Sequence, residues 1–133
     1  MKHFTITEPV YGSALTVFYD CDEERVLNYL IKRHPDCDFS DYKRDESNEA
    51  CAWQVGMGVY LWFSEVGKMT PELIGDLTHE SGHAIHSLLR EIGLKVTKES
   101  EEAFTYLQGY YMQEIARKLI RRFQGKRRKK KGS

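Results

Sequence analysis

Apolar positions along the chain follow two different periods, and the change from one to the other divides the sequence into elements. Two β-favouring runs open it, His3 to Thr7 and Ala14 to Tyr19, separated by Pro9 and Gly12-Ser13, which predicts a strand pair joined by a loose turn. Asp20 or Asp22 can then cap a helix with Glu23 and Glu24 in its first turn; Val26, Leu27, Leu30 and Ile31 form its apolar stripe, and His34-Pro35 ends it. Residues 35–50 are polar and without period, and read as a long connecting loop rather than a lid. From 52 to 63 the alternation is strict. Trp53, Val55, Met57, Val59, Leu61 and Phe63 interleave with Ala52, Gln54, Gly56, Gly58, Tyr60 and Trp62, which predicts one strand with an apolar face laid on helices. Its two glycines mark either a bulge or a place where another chain can approach the backbone closely.

From residue 70 onward the period is helical. Thr70 is a natural N-cap, with Pro71 at the first helical position and Glu72 in the first turn. Leu73, Ile74, Leu77, Ala84, Ile85, Leu88 and Ile92 give a broad buried face, and Gly93 stops the helix. A connection from Leu94 to Glu99 leads to Ser100, the expected cap of a last helix running to about Phe123 and packed antiparallel on its predecessor. Phe104, Leu107, Tyr111, Ile115 and Leu119 are its expected buried side. The expected architecture is α+β: a small twisted sheet packed on two antiparallel helices, in one domain over 1–123, followed by a disordered basic tail over 124–133.

Composition adds limits. At 133 residues, with 41% hydrophobic and 30% charged, the chain suits one soluble domain. No apolar run approaches the roughly 20 residues of a membrane span, and the first residues lack a secretory apolar core. Cys21, Cys37 and Cys51 are odd in number and without metal-ligand spacing, so they read as reduced thiols of a cytoplasmic protein. The formal net charge of zero hides a segregation. Ten of the 20 basic residues lie between Arg117 and Lys131, where there is no acidic one, so residues 1–116 are about ten charges negative. A contact with nucleic acid through Arg121 to Lys131 is one reading of this tail; helix-dipole matching and solubility are the other.

The chemistry concentrates in His79-Glu80-Ser81-Gly82-His83, inside the predicted helix. Histidines four apart lie about 40° apart around a helix and roughly 6 Å apart along it, so both can reach one metal ion. Glu80 is then placed to act on a water at that ion. This is the donor set of a zinc hydrolase, which needs a third protein ligand. His86 does not qualify: it lies about 10 Å along the axis from His79, and it stands where the longer His-Glu-x-x-His-x-x-Gly-x-x-His pattern has its glycine. The acidic pair Glu101-Glu102 on the following helix is the alternative, with Glu102 and Tyr106 four apart on one stripe.

His-Glu-x-x-His followed 19 residues later by the glutamate of Ser-Glu-Glu-Ala-Phe-x-Tyr-Leu-x-Gly-Tyr resembles the small gluzincin-type metallopeptidases encoded by bacteriophages and prophages. The similarity covers the 52–63 strand and the two helices after it, about half the chain. It implies a zincin core with Zn2+ held by His79, His83 and Glu102 (Glu101 being the alternative), Glu80 as general base, and Tyr106 or Tyr110 as donor to the oxyanion. It further implies peptide-bond hydrolysis of a peptide or protein substrate lying as an extra strand on the 52–63 segment, in a bacterial host cytoplasm. A zincin fold that binds zinc or a partner without cleaving is the competing expectation.

Overall fold

A computed structural model describes residues 1–40 and 49–131. Most of the polar loop expected over 35–50 lies outside the described residues. Strands β1 (Lys2–Thr7) and β2 (Ala14–Tyr19) form an antiparallel pair. Helix α1 (Glu23–Arg33) follows, then β3 (Ala50–Val55), β4 (Gly58–Phe63), α2 (Pro71–Glu91) and α3 (Glu101–Lys131). The sheet order is β1-β2-β4-β3: β2 and β4 run parallel at its centre, and β3 is an edge strand antiparallel to β4. The fold is therefore α+β, a mixed four-stranded sheet with three helices.

The expected single strand over 52–63 is instead a hairpin. Gly56 takes φ +58°, a left-handed conformation that only glycine adopts freely, and Val55 pairs with Gly58, leaving Gly56-Met57 as the turn. Met57 is accordingly 79% exposed. The register sets Trp53 opposite Tyr60 and Ala52 opposite Leu61, so odd-numbered residues of β3 share a face with even-numbered residues of β4. The continuous alternation thus feeds two faces. Trp53, Val55, Tyr60 and Trp62 pack with Phe18 against Val26 and Leu30 of α1. Val59, Leu61 and Phe63 pack with Leu15 and Val17 against α2 and α3. Helices cover both faces of the sheet.

Some end signals act as expected and others are used differently. The Thr70 side chain accepts the Leu73 N–H at 3.1 Å, and Gly93, at φ +77°, closes α2 with Leu94 N–H on the Leu89 carbonyl at 2.8 Å. Asp22 is the N-cap position of α1 but makes no side-chain cap bond; Asp20 instead accepts the Val66 N–H at 2.9 Å. Ser100 does not cap α3 with its side chain: its hydroxyl receives the Thr97 N–H at 2.8 Å and donates to the Lys95 carbonyl. Ile31, Ile74 and Ile92, expected on buried stripes, are 41%, 48% and 44% exposed because neighbours at helical spacing already fill each contact face. Helix α3 does not end near Phe123 in a disordered tail but continues through Lys131.

Tyr111 seams α3 to the β1–β2 turn. It is fully buried, donates to the Ser13 carbonyl at 3.1 Å and shares a hydrogen bond with the Ser13 hydroxyl at 2.8 Å. Burial pushes its phenol up to about 12, against the opposing Ser13 hydrogen bond. Tyr111→Phe should cost about 1 kcal/mol, the scale of one net hydrogen bond. Tyr111→Ala should cost about 3–5 kcal/mol because it also empties the ring's volume. Urea unfolding midpoints at unchanged m-value measure both.

Candidate active site

Thr70 and Pro71 fix the phase of α2, which turns Leu73, Leu77, Ala84, Ile85 and Leu88 into the core and leaves His79 and His83 on the outward side. The two Nε2 atoms stand 3.3 Å apart with ring centroids 4.8 Å apart. Two nitrogens bound tetrahedrally to one zinc at about 2.0–2.1 Å are themselves separated by about 3.3–3.4 Å. The separation matches that spacing, and it is equally that of a hydrogen bond between the two rings. Glu80 lies to one side, its Oε1 4.0 Å from His79 Nε2 and its side chain only 12% exposed. Burial raises its pKa above the usual carboxylate range, against the pull of His79 and His83, and Asp76 adds to the rise. A carboxylate made more basic in this way is a better proton acceptor near neutral pH.

Beside the pair runs a cleft of about 520 Å³ between α2 and the edge strand β3. Ala50, Cys51, Ala52 and Gln54 form one wall; Glu80, His83, His86, Ser87 and Arg90 form the other. The sequence does not show that β3 supplies this wall, since the hairpin that makes it an edge was read as one strand. Only Gly56-Met57-Gly58 carried a signal for it. The Cys51 thiol, pushed up to about 12 by burial and then by Glu80 and Glu23, is a neutral wall residue near pH 7. All three cysteines are free. A larger hollow of about 890 Å³, lined by Asp20, Asp22, Glu49 and Glu65 among others, contains no histidine.

The remaining expected site residues are placed differently. Tyr106 is not brought to the histidines: its hydroxyl donates to Glu8 Oε1 at 3.5 Å and its ring faces Tyr11 and Tyr110, beside the β1–β2 turn. Tyr110 likewise donates to the Thr7 carbonyl at 3.5 Å. Glu102 shares Tyr106's stripe, four residues earlier, and so points to that same flank of α3. Glu101 does not. Eleven residues before Met112, it lies within about 20° of it around the helix, and Met112 touches Ser81 of α2 at 3.4 Å. The first turn of α3 is not level with the pair: the Phe104 ring meets His86 at 5.0 Å, and Glu101 lies about 16 Å along α3 from Met112. Both glutamates are exposed. Among the described residues, no group of three or more His, Cys, Asp and Glu side chains is assembled to hold an ion. The histidine pair has the nitrogen spacing of a two-histidine metal site, and no third protein ligand is in place beside it among the described residues.

No family model, curated protein or solved structure matches the chain. Among the described residues no helix is long and apolar enough to cross a membrane.

Proposed function

We propose that the protein is a zinc-dependent peptide hydrolase of the zincin type. The observation that carries this reading is the His79–His83 pair, with nitrogens 3.3 Å apart, beside a half-buried Glu80 and the edge strand β3. His79 and His83 would hold the ion; Glu101 and Glu102, both in the first turn of α3, are not level with them. The ion, when bound, supplies Lewis acidity to the attacking water and to the scissile carbonyl. The chain's own groups do the rest. An extended peptide lies in the cleft along β3 and pairs with the backbone of this edge strand, which aligns the scissile bond over the histidine face. Glu80, kept basic by burial, accepts the proton of the attacking water and passes it to the leaving amine. Peptide or protein is therefore the substrate class, and Tyr106, turned toward Glu8, has no part in the step.

The unassembled third ligand favours a second reading, a zincin-type domain that binds zinc without cleaving. One experiment tests both. Protein purified without chelator and supplied with zinc should carry about one ion per chain, and His83→Ala should lose it. The same preparation should degrade an unfolded protein substrate and stop on chelation. Failure of the wild type to take up zinc overturns both readings; zinc uptake without cleavage leaves the second.

A further inference from the structure

Helix α3 outlasts the core it packs on. Leu119 is buried and Phe123 still touches the core, but residues 124–129 are all exposed. The root of this extension is held firmly. Lys118 lies over the Phe4 ring at 5.6 Å; Arg122 lies over the Tyr19 ring at 4.6 Å and donates to its hydroxyl at 2.9 Å. Asp20, at the left-handed φ of +53°, receives Arg122 at 3.5 Å and Lys126 at 3.6 Å. Past that clamp the sequence reads Arg127-Arg128-Lys129-Lys130-Lys131, with no acidic and no apolar residue. Lys126 to Lys129 are four consecutive exposed basic positions that step through about 300°, so positive charge reaches most of the way around the axis.

Such a helix has no apolar face with which to enter a lipid surface. Its form matches a different partner. A helix of about 10–12 Å diameter fits the roughly 12 Å major groove of B-form DNA, where phosphates flank it on both sides. The deep, narrow major groove of A-form RNA does not admit it. Residues 1–116, net negative by about ten, are repelled by the same phosphates and leave the extension as the point of contact. We propose that the projecting end of α3 is an arm that binds double-stranded DNA through its phosphates, without reading sequence. Like charges recur four apart along it and repel one another, so neutralisation by phosphate should also raise its helicity.

The test uses the full chain and a short fluorescein-labelled DNA duplex, read by anisotropy across a salt series. Affinity should fall with a log–log salt slope of about −4.5 to −5.4, the value for five or six phosphates neutralised. Replacing Arg127, Arg128, Lys129, Lys130 and Lys131 together by Gln should lower affinity at least ~10-fold at low salt. Arg127→Gln with Arg128→Gln should show a partial loss, which covers misbehaviour of the larger variant. Far-ultraviolet dichroism should gain helical signal on DNA addition in the wild type only. Undiminished binding by both variants, or none by the wild type at low salt, overturns the proposal. Equal or tighter binding to phosphatidylserine vesicles, polyglutamate or duplex RNA overturns it in favour of that partner.

Discussion

Glu80→Gln should keep zinc and lose at least ~10²-fold in peptide hydrolysis, the scale expected for a missing general base. The amide preserves shape and one hydrogen bond but accepts no proton. Metal should be retained because Glu80 is rotated about 100° from His79 around the helix and lines the cleft together with β3. The variant should also be no less stable than the wild type, since removing a carboxylate whose pKa is raised by burial relieves a desolvation cost. Zinc content, cleavage rate and urea midpoint on one preparation decide the matter. If Glu80→Gln loses zinc as His83→Ala does, Glu80 is a ligand; if it cleaves like the wild type, the proposed mechanism is wrong.

Glu101→Ala and Glu102→Ala should each leave zinc binding within a factor of two or so, because a carboxylate ligand must reach the ion and both acids sit at the far end of α3 from the histidines. The expectation reverses what the motif resemblance alone implies. It rests on the register of α3: Met112 meets Ser81 of α2, and the Glu101-Glu102 doublet lies about 15–16 Å further along α3, away from His79 and His83. Competition with a chromophoric zinc chelator measures both affinities. Equal losses would mean that either acid can serve, and a loss confined to Glu102→Ala would restore the resemblance's assignment.

How much could be read from the sequence follows from how local each determinant is. The ends of α2 were legible because Thr70, Pro71 and Gly93 act on backbone groups within one turn. The His79–Glu80–His83 constellation was legible for the same reason, since its geometry is set by helical pitch alone. The β3–β4 hairpin was not. A two-residue turn leaves the alternation unbroken along the chain while exchanging the faces it feeds, and both faces of this sheet are covered by helices. Whether either acid of the Glu101-Glu102 doublet reaches the histidines depends on how far along α2 the first turn of α3 sits, a tertiary fact that a doublet of acids in a first turn does not encode. The length of α3 was missed because a dense run of like charges argues against a helix taken alone, whereas this one extends from a segment already ordered by packing.

The parallel pairing of β2 with β4 has a consequence for how the molecule comes together. β1–β2 and β3–β4 are each closed by short connections, whereas Thr16 must meet Tyr60 across α1 and β3. Hairpins of this kind close in about 1–10 μs, and pairings between distant residues come later because loop closure must precede the contact that rewards it. The sheet is thus two locally assembled halves joined along one late seam. Both walls of the cleft come from residues 50–91, entirely on one side of that seam. The spatial relation between Glu80 and β3 is therefore a property of the second half of the chain, and the first half stabilises it by lending a face to the sheet rather than a wall to the cleft.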